Sequence, residues 1–166
     1  DDIIWSKILN GISVSNILHI SSHGDFHIFP EESYVKIFKN RILRASELPE
    51  IRGYHPGLLA FINACRVGLS YKETPIFSPI DTKAGFVRGL QSAGFSLIIL
   101  PAWSVNDLIA KEFAVTFYHA ATRFPWHKTL LETRRKLSSK FSDSIDWASY
   151  MVYGDPSILD YLKPIS

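Results

Sequence analysis

Three uninterrupted apolar runs, "NILHI" at 16–20, "GLLAFINA" at 57–64 and "FSLIIL" at 95–100, constrain this chain more than any other feature. Each is short, bounded by polar or turn residues and rich in large aliphatic side chains, the pattern of a strand covered on both faces. Helical spacing fills the intervals. "DDIIWSKILNGI" sets Ile3, Ile4, Ile8 and Leu9 on one side and predicts a helix ended by Gly11, while "TKAGFVRGLQSAG" predicts one with Ala84, Val87, Leu90 and Gln91 on a face, ended by Gly94. "SVNDLIAKEFAVTFYHAATRF" predicts a helix N-capped by Ser104 with Asp107 in its first turn, and "WHKTLLETRRKL" another. "SYVKIFKNRILRASEL" predicts a hairpin turning at Lys39-Asn40 and then a short helix capped at Ser46. "DWASYMVYGDP" predicts a last strand that breaks at Gly154-Asp155-Pro156. Strands alternating with helices imply an α/β domain with a mainly parallel sheet and right-handed crossovers.

With 166 residues, 46% of them hydrophobic, the chain can bury one sizeable core, so a single domain is expected. A net charge of +2 argues against a nucleic-acid surface, and the one basic run, "ETRRKLSSK", is expected to be a solvated helix face. A single cysteine excludes an internal disulfide and any four-cysteine zinc site. The apolar runs fall far short of the roughly 20 residues needed to span a bilayer. The N-terminal residues lack a signal-peptide pattern, so a cytoplasmic protein without membrane association is expected.

In parallel sheets functional groups gather at the carboxyl ends of strands. The first run leads into Ser21, Ser22, His23 and Gly24, and the second ends at Cys65. On adjacent strands the two would form a dyad in which the imidazole takes the thiol proton. Gly24 permits close backbone approach, so its N–H and that of Cys65 are candidate donors to an oxyanion. The same spacing equally describes a cysteine that fills apolar space and a histidine that is simply a polar strand end. His23, Asp25 and His27 alternate in a way metal sites use, but nothing completes a ligand shell, and neither a metal nor a cofactor is expected. "RVGLSYKETPIFSPID", directly after Cys65, is long enough for a functional loop that reorders on activation.

"HISSHGD", "FINACRVG", "GFVRGLQSAGFSLIILPAWSVND" and "YMVYGDP" occur in the order found in CHAT domains, the caspase-like peptidase modules that follow TPR repeats. "NACR" also resembles the caspase "QACR" signature. The resemblance runs from Asn16 to Pro156 and implies a caspase-like three-layer α/β sandwich in which His23 is the general base and Cys65 the nucleophile. It further implies that Asn63, Trp103 and Ser104 line the substrate site. "WSVND" stands where many relatives have "WPVDD", so Trp103 and Asp107 match while two positions depart.

A whole CHAT module carries further strands ahead of the histidine strand. Residues 1–166 are therefore expected to be the catalytic part of a longer, TPR-containing protein, with preceding sequence pairing along the free side of "NILHI". The implied activity is endoproteolysis of a protein substrate, switched by an upstream sensor or a regulatory protein partner. Some TPR-CHAT proteins are peptidase partners of RNA-guided CRISPR effectors. The alternative is a catalytically silent scaffold or protein-binding module on the same fold.

Overall fold

The computed structural model describes residues 2–53, 56–66 and 83–162, with backbone alone at 65, 66 and 162. Helix α1 (Asp2–Val14) leads into strand β1 (Ile17–Asp25), followed by β2 (Tyr34–Phe38), β3 (Arg41–Arg44) and the short helix α2 (Leu48–Arg52). Then come β4 (Gly57–Arg66), α3 (Ala84–Ser92), β5 (Phe95–Pro101), α4 (Asp107–Ala121), α5 (Trp126–Lys140) and β6 (Tyr150–Gly154). The six strands form one sheet in the order β3-β2-β1-β4-β5-β6. Its centre, β1-β4-β5, is parallel, and both flanks are antiparallel.

Helices cover both faces, which makes the three-layer α/β sandwich. On the first face Leu18, Ile20, Ala60, Ile62, Ala64, Ile98 and Leu100 pack with residues of α1, α2 and α3. On the second, Leu59, Phe61, Leu97 and Ile99 pack beneath α4 and α5 with Phe113, Phe117 and Leu137. Strand alternation divides the runs of β4 and β5 between the two cores, while β1 contributes only to the first. Burying Phe61, Ile62 or Leu97 completely stabilises the fold by about 1.5–3 kcal/mol each. No helix among the described residues is long and apolar enough to cross a membrane.

Several boundaries differ from the sequence expectation, each for a tertiary reason. Gly11 does not end α1, which runs on to Val14. Its terminal carbonyls are capped from another element: the buried Arg52 guanidinium donates to Ile12 O at 2.7 Å and Ser15 O at 2.9 Å. The same side chain donates to Ala93 O at 3.0 Å and lies 4.1 Å over the Phe95 ring. The cap of α4 is Asn106, whose Oδ1 accepts from Leu108 N at 2.9 Å, rather than Ser104. At the α2 region Glu47, not Ser46, makes the capping contact, accepting from Arg44 N at 2.8 Å. Gln91 is exposed, because α3 faces the sheet through Phe86, Val87, Leu90 and Gly89, whose missing Cβ lets the helix approach the Ala45 carbonyl.

β1 does not stop at Ser21 but continues to Asp25, because residues 26–33 fold β2 back as its neighbour, and the turn at Lys39-Asn40 then folds β3 onto β2. β2 pairs with the end of β1 at Gly24–Val35 and Asp25–Tyr34, beyond the run "NILHI" along which preceding sequence was expected to pair. The Ser22 hydroxyl also donates to the Lys36 carbonyl.

Candidate active site

The parallel ladder between β1 and β4 runs from Ile17–Leu59 to Gly24–Arg66 and sets His23 opposite Cys65. Both positions lie at the carboxyl ends of central strands. His23 is exposed there, since alternation turns it away from the Leu18–Ile20 core and α4 begins beyond its reach along the chain. Trp103 and Ser104 follow β5 at the same edge of the sheet. Val105 buries behind them and Asn106 caps α4, so the two residues between strand and cap remain exposed.

Gly24 lies within β1, buried between two strands. A Cβ there would sit 2.8 Å from the Tyr34 carbonyl oxygen and 3.0 Å from the Phe26 ring. Close passage of β2 therefore explains the glycine by itself, whatever its N–H does. The loop expected to reorder lies, after Arg66, outside the described residues.

Residues 6–155 match the family model of the CHAT domain. The chain belongs to the CHAT-domain family. That family has a caspase-like, peptidase-related fold, and the parallel centre with helices on both faces is its architecture here. No protein of curated function matches the chain.

Behind the edge, this CHAT domain holds β4 with buried polar contacts. The Asn63 amide is almost wholly buried, donating from Nδ2 to Ala110 O at 3.1 Å and accepting at Oδ1 from the Tyr150 hydroxyl at 2.6 Å. Tyr150 is itself stacked on Phe113, with ring centroids 3.6 Å apart. Asn63 thus shares the face expected for it but is turned inward, tying β4 to α4 and β6 two residues before Cys65. Sequence reasoning had no signal for this pairing, whose partners are 87 residues apart.

Asp107 occupies the first turn of α4, and Asp155 caps the turn after β6 by accepting from Ser157 N at 2.9 Å. The Ser157 side chain first, and then this backbone contact, hold the Asp155 carboxyl below its usual range. His19, four residues before His23, stacks on Phe61 with centroids 5.1 Å apart and has Nδ1 3.0 Å from the Tyr118 hydroxyl. Burial lowers the His19 pKa and pushes the Tyr118 hydroxyl up to about 12, which favours a hydrogen bond between two neutral groups. His27 lies 3.5 Å from the Asp25 carboxylate and 3.3 Å from that of Glu32. Among the described residues no three His, Cys, Asp or Glu side chains gather as a metal group.

Proposed function

We propose that this CHAT domain is the catalytic part of a cysteine endopeptidase. Cys65 attacks the scissile carbonyl carbon of a protein substrate while His23 takes the thiol proton. Collapse of the tetrahedral intermediate breaks the C–N bond, and His23 returns the proton to the leaving amine, leaving a thioester on Cys65. Water, deprotonated by His23, then releases the acid and regenerates the thiol. The backbone N–H groups of Gly24 and Cys65 are the proposed oxyanion donors. Trp103 and Ser104 form the facing wall of the cleft, and Asn63 acts as a positioning residue through its hold on β4.

The single observation that carries this reading is the register pairing of His23 with Cys65 at the carboxyl edge, in a chain of a peptidase-related family. Activity is proposed to be switched by a regulatory protein partner or a TPR region, with an RNA-guided CRISPR effector as one such partner. No direct nucleic-acid contact, cofactor or membrane is invoked, and a cytoplasmic setting suits an unpaired thiol. Cleavage of a co-encoded protein substrate by the full-length protein, activated by its partner, tests the reading. Cys65→Ala and His23→Ala each abolish cleavage with the thermal transition unchanged. Cleavage retained by Cys65→Ala refutes the assignment, and no cleavage or labelling by the wild type points to a scaffold.

A further inference from the structure

The basic run on α5 is not wholly a solvated face. Arg135 pairs with Glu132 at 3.2 Å and Lys140 with Glu112 at 2.7 Å, both at the surface, but Arg134 turns toward the sheet. Its Nη2 donates to the Tyr150 carbonyl at 2.7 Å, its Nε is buried with no hydrogen-bond partner, and no carboxylate pairs with it among the described residues. The Arg134 side chain is half-buried, and burial lowers its pKa.

This guanidinium lines a cavity of about 350 Å³ between α5, the β5–β6 pair and the segment after β6. Trp126, Leu130, Leu131, Val152 and Leu159 make its other walls. Trp126 and Leu131 are exposed at 39% and 56%, large apolar side chains at a surface otherwise polar on this helix. Asp160, next to Leu159, accepts from the Trp126 backbone N–H at 3.2 Å. The volume falls within the range of small-molecule pockets, and the composition is theirs too: mainly apolar walls with two polar side chains, Arg134 and His127.

We propose that this cavity binds a small organic carboxylate with an apolar body, its tail against Leu130, Val152 and Leu159 and its carboxylate on the Arg134 guanidinium. A neutral hydroxyl in the same place accepts only an ordinary hydrogen bond from the guanidinium, whereas a carboxylate supplies a charge-assisted acceptor. The site is independent of the proposed peptidase chemistry, since none of its lining residues belongs to the carboxyl edge of β1 and β4.

Titration calorimetry of the intact protein with decanoate and with decanol tests it. The wild type binds decanoate at least about tenfold more tightly than decanol, the margin of one hydrogen bond to a charged group. Arg134→Met removes that preference while decanol affinity stays. In Leu131→Glu a carboxylate one helical turn from Arg134 competes for the guanidinium and weakens decanoate by a similar factor. Leu131 is exposed, so this variant keeps the fold if the loss at Tyr150 O unfolds Arg134→Met. Equal affinity for acid and alcohol, no binding of either, or a preference for decanoate unchanged in Leu131→Glu overturns the proposal.

Discussion

The two faces of the sheet treat the same strand differently. Toward α1, α2 and α3, β1 is covered: Leu18 and Ile20 are buried in an aliphatic core locked by Arg52 and by the close approach of α3 at Gly89. Toward α4 and α5 the core is rich in aromatic rings and lies over β4 and β5, leaving Ile17, Ser21 and His23 of β1 exposed, while His19 between them packs on Phe61 and Tyr118. One face therefore fixes the strand, and the other leaves an uncovered track that ends at His23 beside Cys65. A strand clamped on one side only can hold a histidine rigidly and still present it to a substrate.

Substitutions along β1 break this comparison most sharply. Ile20→Ala removes a buried side chain from the covered face and is expected to cost about 2–5 kcal/mol in denaturant unfolding. Ile17→Ala, three residues earlier on the open face and 41% exposed, is expected to stay within about 0.5 kcal/mol. Equal losses at the two positions would mean that the open face is covered in solution.

Asn63→Ala probes the polar tie under the aromatic face. It leaves the Tyr150 hydroxyl without its acceptor and Ala110 O without its donor, an expected cost of about 1–3 kcal/mol. Denaturant melts of Asn63→Ala, Tyr150→Phe and the double variant measure the coupling. Additive losses would show that the contact does not tie the strands.

The smallest effect is the pH dependence of His19. Its folded pKa is lowered by burial, so the folded state binds fewer protons than the unfolded state near the ordinary imidazole value. Stability from this residue is present above about pH 6.5 and declines as the pH falls below it. His19→Phe, which keeps the stack on Phe61, is expected to flatten the melting temperature between pH 7 and pH 5 relative to wild type. An unchanged pH profile would show that His19 is solvated in both states.

The runs of β4 and β5 were legible as strands because burial on both faces leaves a continuous hydrophobic signal, the expectation of two covered faces fails for β1, which is open on one side, and the hairpin turn at Lys39-Asn40 carried its own turn chemistry. What local pattern could not supply was anything set by distant partners. Gly11 looked like a terminator until Arg52, 40 residues away from Ile12, capped the helix beyond it. "SSHGD" looked like a strand end because the polar residues gave no hint that β2 would pair there. At the site, His23 and Cys65 could be placed at strand ends from sequence, but their shared register followed only from the sheet order. Asn63 could be assigned a face by alternation and not a partner, since Tyr150 lies on another strand at the far side of β5.

The central claim is that the open track delivers His23 to the thiol of Cys65, and the chemistry of that thiol reports it without a substrate. Iodoacetamide alkylation of Cys65, followed by intact mass against pH in the wild type and in His23→Ala, measures thiolate formation directly. With the dyad in place, alkylation of the wild type rises at least about one pH unit below that of His23→Ala. Coincident pH profiles in the two proteins would contradict the account.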